Sequence, residues 1–215
     1  MIRSEIIDIF RQENPEIPSR VISDTVLEDW LALGDKEFCA ETRCIVDQGT
    51  TITTVSGEQY WDLTVEIPNF YDIDKTSASG VTYNGKTLEY ASMPELDAES
   101  KSWRSRSAGV PQKWFRRGNY LWFDRAVDSE ADDIVVYSCL LSNDWITDVA
   151  PFNEIKSLEP FHASMVLYLT AKAKAKVGKP EEAIKAQAEY SAFVKWCKVQ
   201  LGSTRFGKIQ FVKKV

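Results

Sequence analysis

Asn84-Gly85, set between Val81 and Tyr83 on one side and Leu88 and Tyr90 on the other, constrains this chain more than any other pair of residues. A two-residue type I′ turn needs positive φ at both central positions, and Asn and Gly reach that region at least cost. A tight β-hairpin is predicted there. A second turn, Arg116-Arg117-Gly118-Asn119, separates Trp114-Phe115 from Tyr120-Leu121-Trp122-Phe123, bulky residues suited to a pleated, half-buried surface. With the run Asp132-Asp133-Ile134-Val135-Val136-Tyr137-Ser138-Cys139, these segments predict an antiparallel β unit flanked on both sides by helix-like sequence.

Upstream, Ile6, Ile7 and Phe10 share one side of a helix predicted over residues 4–13, which Pro15 and Pro18 terminate. Thr25-Val26-Leu27-Glu28 has the form of a capping box and predicts the start of a second helix. Its core stripe runs through Val26 or Leu27, Trp30, Leu31 or Gly34, and Phe38, to about Thr42. From Cys44 to Tyr71 β-branched and aromatic residues take over. Leu63, Val65 and Ile67 alternate with Asp62, Thr64 and Glu66, the period of a strand with one apolar face. Residues 72–80 read as a loop, and Met93 to Asp97 as a short helical turn followed by an exposed connection carrying Trp103, Arg104 and Arg106.

Downstream, Leu158, Phe161, Met165, Tyr168 or Leu169, and Lys172 predict an amphipathic helix, broken at Gly178-Lys179-Pro180. Gly past one helix end and Pro in the next first turn suits two consecutive helices. The second carries Ile184, Ala188, Ser191, Val194, Cys197 and Leu201 as a narrow stripe and closes at Gly202. The expected fold is α+β. Residues 1–43 and 151–202 form a helical bundle of two N-terminal helices and a C-terminal helical hairpin, residues 44–150 an inserted antiparallel β subdomain, and residues 203–215 an extended C-terminal tail. That tail is basic and β-prone, and either frays or adds as a strand to a neighbouring sheet.

Among 215 residues there are 26 Lys and Arg against 32 Asp and Glu, a formal net charge of −6. Such a balance argues against a generic grip on nucleic acid, which comes from cations displacing counterions, while leaving room for a protein that surrounds DNA without holding it. No apolar run reaches the roughly 20 residues of a membrane span, and the start Met1-Ile2-Arg3-Ser4-Glu5 lacks the build of a signal peptide, so synthesis in the cytoplasm and no membrane partner are expected. Cys39, Cys44, Cys139 and Cys197 show no C-x-x-C spacing and read as buried thiols. His162 is the one histidine, so any triad or His-based metal scheme would have to pass through it. It reads as a packing or helix-surface residue. Asp132-Asp133 and the pair Asp144 and Asp148 read as turn and loop residues, and no phosphate-loop, dinucleotide, nucleophile-elbow or zinc-protease motif occurs. No catalytic residue, metal site or cofactor is expected, and no enzymatic activity.

Trp103, Arg104, Arg106, Arg116 and Arg117 are candidates for subunit contacts, since Arg and aromatic side chains are enriched at interfaces. The alternative is a β module that binds glycan through Trp103, Trp114 and Trp122. A small hydrolase, working through His162 or a carboxylate pair, is a third and weaker option.

The order of these elements resembles tailed-bacteriophage head-to-tail adaptor (connector) proteins. The matching stretches are the Tyr-Asn-Gly-Lys hairpin of residues 83–89, the Gly-Val-Pro to Trp-Phe-Asp segment of residues 109–124, the Ile-Val-Val-Tyr strand of residues 134–137, and the helical pair of residues 161–199. The resemblance implies a homo-oligomeric ring, usually of twelve subunits, at the head-to-tail junction of the virion. Such a ring docks on the portal protein, meets a tail or neck protein, and lines the exit channel through which duplex DNA passes. In several relatives an extended C-terminal segment reaches toward the portal. Here that role falls on Arg205, Phe206, Lys208, Ile209, Phe211, Val212, Lys213 and Lys214.

Overall fold

The structure, a computed structural model, describes residues 3–47, 49–74, 80–130, 132–141 and 162–204. In chain order, helices α1 (Arg3–Glu13) and α2 (Asp24–Thr42) come first. Strands β1 (Ile45–Val46), β2 (Thr50–Thr53) and β3 (Tyr60–Asp62) follow, then the one-turn helix α3 (Leu63–Glu66), β4 (Phe70–Ile73), β5 (Val81–Tyr83), β6 (Lys86–Thr87) and β7 (Glu89–Tyr90). Helix α4 (Met93–Glu99) and a 3-10 turn (Trp103–Ser105) lead to β8 (Lys113–Arg117), β9 (Tyr120–Phe123), β10 (Asp133–Val136) and β11 (Ser138–Leu140). Helices α5 (Ala163–Lys176) and α6 (Pro180–Thr204) complete a mixed α+β chain. Two compact units result: one holds α1, α2, α5 and α6, and the other spans residues 45–140.

In the helical unit α5 packs on α1, α2 and α6, while α2 also touches α1 and α6. Helix α1 buries Ile6, Ile7 and Phe10, as its periodicity predicts. Arg11 ties the following loop down by donating to the carbonyls of Ile17 (2.8 Å) and Ile22 (2.6 Å). Helix α2 is capped by Ser23, whose hydroxyl accepts from the Val26 N–H, so the predicted box at Thr25 gives way and Thr25 lies inside the first turn. Ser23 is already extended at φ −70° and ψ 158°, the geometry an N-cap needs. Residues 158 and 161 of the predicted downstream helix lie outside the described residues.

Helix α6 departs from its predicted stripe. The buried positions are Ala183, Ala186, Tyr190, Val194 and Cys197, whereas Ile184 is 70% exposed and Ala188 is also exposed. The helix also runs through Gly202 to Thr204 rather than closing there. Positions 183 and 184 fit spacings of three and four equally well. Small residues at 183 and 186 let α6 approach its neighbour, and that contact decides the face.

Gly34 sets the distance between α2 and α5. A Cβ at this position would sit 2.8 Å from Cδ1 and Cε1 of the Tyr168 ring, a buried side chain with little room to move. Gly34→Ala is therefore expected to destabilise the helical unit by about 1–2 kcal/mol, an overpacking cost of about 1–3 kcal/mol partly offset by alanine's better helix propensity. Thermal unfolding followed by circular dichroism checks this: a melting temperature equal to or above wild type would show that the ring gives way freely.

The β unit contains three small sheets, with strand orders β1-β11-β4, β2-β10-β5-β6 and β3-β9-β8-β7. Asn84 and Gly85 take φ of 47° and 75°, the two positive values a type I′ turn requires, and join β5 to β6. Beyond Thr87 the predicted hairpin arm changes sheet. Glu89 and Tyr90 leave β5 and pair in parallel with Lys113 and Trp114 of β8, so the unit is not wholly antiparallel. Leu88, buried at this crossing, joins the main core with Trp61, Ile73, Tyr83, Trp114, Phe123 and Ile134 among others.

The predicted strand at 63–67 is instead α3. The Asp62 carboxylate accepts from the Thr64 N–H at 3.0 Å and from the Thr64 hydroxyl at 2.7 Å, which caps a helical turn. Leu63 and Ile67, four apart, are both buried, and Val65, between them in the expected alternation, is 75% exposed. A period of two and a single helical turn share these two anchors and differ only at Val65.

Candidate interaction site

Both faces of β8 are covered. Trp114 faces the main core, while Phe115, its neighbour on the opposite face, lies in a second cluster with Ala91, Leu96 and Trp103. The covering layer is built locally. Ser92 and Glu95 form a reciprocal capping box that starts α4, with the Glu95 carboxylate accepting from the Ser92 N–H at 2.6 Å. The chain then turns at residues 103–105 and lays the Trp103 indole edge-on against Phe115, with ring centroids 5.4 Å apart. Asp97 accepts from Trp103 Nε1 at 2.8 Å and from Arg104 Nη1 at 2.8 Å. These bonds, the Arg104 one foremost, hold the Asp97 carboxyl below the usual carboxylate range.

Trp103 is thus no exposed contact residue: it is 1% exposed because β8 has two apolar faces and needs a lid on the second. Besides Arg104, which bonds Asp97, two more of the arginines are engaged within the unit. Arg116 donates to Asp72 at 2.5 Å and lies 4.9 Å from the centroid of the Phe70 ring. Arg106 donates to Asp124 at 3.3 Å. Asp124, which the sequence did not single out, is the buried hub of this region: its Oδ1 accepts from the N–H groups of Gln112 (3.0 Å) and Lys113 (3.1 Å). An acid ending an aromatic strand was its only mark in the sequence. Of the five predicted contact residues, Arg104 and Arg117 keep exposed side chains.

A small aromatic surface does remain on β3 and β9. Tyr60 stacks on Trp122 (4.7 Å, 26° between planes) and meets Tyr120 edge-on at 5.9 Å, with Tyr60 and Tyr120 both exposed. Neighbouring Asp62 is held below the ordinary carboxylate range, chiefly by its bond from Thr64 and also by one from Tyr120. For glycan stacking the arrangement is poor, because Trp103 and Trp114 are buried and Trp122 already stacks on Tyr60 and Phe115. The predicted portal-contact residues, 205, 206, 208, 209 and 211–214, lie outside the described residues.

Against known proteins, the sequence matches the SU10 adaptor protein family over residues 2–195. The chain belongs to that family. No curated protein matches it. The match spans both compact units, and it makes the chain a bacteriophage adaptor, a structural component of the virion that works by contact with other phage proteins.

Several of the adaptor's buried titratable groups are tied into its fold. His162 is fully buried just before α5, and burial pushes its pKa down to about 4. All four cysteines are buried and none is in a disulfide, and burial pushes the Cys197 thiol up to about 12, far from thiolate chemistry. Asp132 accepts from the Tyr83 hydroxyl at 2.5 Å, and Asp144 and Asp148 lie outside the described residues. Among the described residues no group of three or more His, Cys, Asp or Glu is placed to hold a metal ion, and no helix is long and apolar enough to cross a membrane. Lys174, buried on α5, bonds Glu16 and lies 2.7 Å from Glu182; its hydrogen bonds hold both carboxyls below their usual range and raise its own pKa.

A defined acid response follows. Above about pH 6.5 the imidazole is neutral in both folded and unfolded chains; between about 6.5 and 4 only the unfolded chain takes up the proton, so stability falls with pH across that window. The loss amounts to about 3 kcal/mol at most, at about 1.4 kcal/mol per unit. Below it, protonation of Glu16 and Glu182 removes the Lys174 pairs and their stabilisation. Denaturant unfolding at pH 7, 5.5 and 4 should show the His162→Gln variant losing less stability than wild type between 6.5 and 4; parallel losses would show that another group carries the acid sensitivity.

Proposed function

We propose that this adaptor forms a ring at the head-to-tail junction of the phage particle, docks on the portal, gives the tail its seat, and lines the channel through which duplex DNA leaves. It does so as a scaffold and catalyses no reaction. The observation that carries this reading is the family match itself, which runs through both the helical and the β unit and so assigns the adaptor role to the chain as a whole. Ring closure requires two different faces per subunit, and a helical unit joined to a separate β unit supplies them. The net charge of −6 suits a channel that repels phosphates and lets the genome slide.

Carboxylates should accordingly outnumber Lys and Arg on the inward surface, and a ring map with a strongly positive lumen would count against that assignment. Light scattering and native mass spectrometry of the purified protein, alone and mixed with portal, test the ring directly: a chain that stays monomeric and ignores portal removes the proposal. Deleting residues 205–215 is expected to leave the melting temperature near wild type while lowering portal affinity at least ten-fold. Equal docking by the truncated chain would take the portal contact away from that segment.

A further inference from the structure

Two thiols meet where helix α2 ends. Arg43 takes the left-handed conformation (φ 52°, ψ 38°), and its N–H donates to the Cys39 carbonyl at 2.8 Å, which closes the last turn. An ending of this kind brings the residue after the left-handed one back over the last turn, a contact that apolar side chains commonly fill. Here both partners are cysteines. Cys44 Sγ donates to Cys39 Sγ at 3.7 Å, and Cys39 Sγ in turn donates to Asp35 Oδ1 at 3.8 Å, one turn earlier on the helix. Bonded sulfurs sit about 2.0 Å apart, so the pair has to close by about 1.7 Å, a displacement that side-chain torsions at a helix end supply.

Exposure and location single this pair out. Cys44 keeps 6% and Cys39 3% of its surface, against none for Cys139 and Cys197, so a reagent reaches the pair first as the end of α2 frays. Cys197, on α6, is close enough to Cys44 to interact with it electrostatically and is the competing partner, but burial holds its thiol protonated. A structural protein of the virion passes from the reducing interior of a cell to an oxidising exterior, where disulfides form and persist.

We infer that Cys39 and Cys44 are a modification site, a dithiol that closes to a disulfide once the particle is outside the cell and staples the end of α2 to the segment leading into β1. The oxidant is a low-molecular-weight disulfide such as oxidised glutathione. The Cys44 sulfur, losing its proton to solvent, attacks one glutathione sulfur and releases the other half as a thiolate. The Cys39 sulfur, its proton leaving by way of the Asp35 carboxylate, then attacks the Cys44 sulfur and releases the second half. One S–S bond forms and one breaks, two electrons pass from the protein to glutathione, and the two protons end on the two glutathione thiols.

Peptide mapping reads the site directly, because Arg43 lies between the two cysteines. Trypsin cuts there, so the disulfide joins peptide 37–43 to peptide 44–75 under non-reducing conditions. The folded wild-type chain treated with oxidised glutathione is expected to give this linked pair as its main product and to melt about 4–8 °C above the reduced chain, both effects reversed by dithiothreitol. Cys39→Ser abolishes the link and the shift and leaves Cys44 carrying glutathione. Released particles, alkylated before digestion, show the same link, whereas cells sampled before lysis show both thiols alkylated. The proposal is overturned by thiols that stay unlinked in the folded chain while the urea-unfolded chain oxidises, by a Cys44–Cys197 link in their place, by unlinked thiols in released particles, or by a linked chain that melts no higher than the reduced one. Each outcome is independent of whether the chain forms a ring.

Discussion

Asp124→Ala is expected to cost the β unit about 3–5 kcal/mol, the scale seen when one partner of a buried charged network is removed and the others stay. The carboxylate is almost fully buried and serves three donors: the Gln112 and Lys113 N–H groups on Oδ1, and Arg106 Nη1 on Oδ2. Alanine leaves two backbone donors without their acceptor and strips a half-buried guanidinium of its counter-charge. Each orphaned buried donor alone costs about 1–3 kcal/mol. Asp124→Asn separates the contributions, because its amide oxygen can still accept from both N–H groups while its amide nitrogen faces Arg106. Roughly half the loss is expected for Asn. Urea unfolding followed by tryptophan fluorescence reads both variants, and an alanine variant within about 1 kcal/mol of wild type would mean that the strand ends here do not depend on this hub.

Trp103→Ala should be comparably damaging, about 3–5 kcal/mol, as for other large buried aromatics cut to alanine. The indole closes the second apolar face of β8 and donates to Asp97, so truncation exposes Phe115 and leaves a cavity under α4. Trp103→Phe keeps part of the packing, loses the Nε1 bond, and is expected to fall between. This outcome separates two roles for the residue. An interface anchor would, on truncation, weaken association with the fold intact. A lid residue does the reverse, lowering the melting temperature and collapsing the near-ultraviolet dichroism of the β unit before any partner is added.

Trp103 also shows how far a sequence can be read. Its neighbours mix both charges, the usual composition of an exposed connection, and nothing local says that a strand with Trp and Phe on successive positions needs cover on both sides. The short helical turn read at Met93 to Asp97 marked the covering helix but not what it covers. The strand read at residues 63–67 failed for a related reason: Leu63 and Ile67 satisfy a helical turn as well as an alternating strand, and the Asp62 cap on Thr64 decided between them. The exchange of partners after Thr87 is invisible locally, since one β-prone run pairs first with β5 and then, in parallel, with β8. Of the predicted contact residues, Arg104 and Arg117 have exposed side chains, whereas Asp124 and the outer line of α6 emerged only from packing.

What the sequence determined by itself are the features that short-range sterics decide within a few residues. The Asn84-Gly85 turn, the break at Gly178 to Pro180, the inner face of α1 and the α+β composition all follow from allowed φ or from a period fitted over one or two turns. Tertiary structure alone decided which of two equivalent apolar lines on α6 is buried, which aromatic residues of β8 and β9 are covered, and which sheet each half of a strand joins. Those choices compare the burial of one surface against another far along the chain, and residues with the same local pattern differ in outcome only through the neighbour that reaches them.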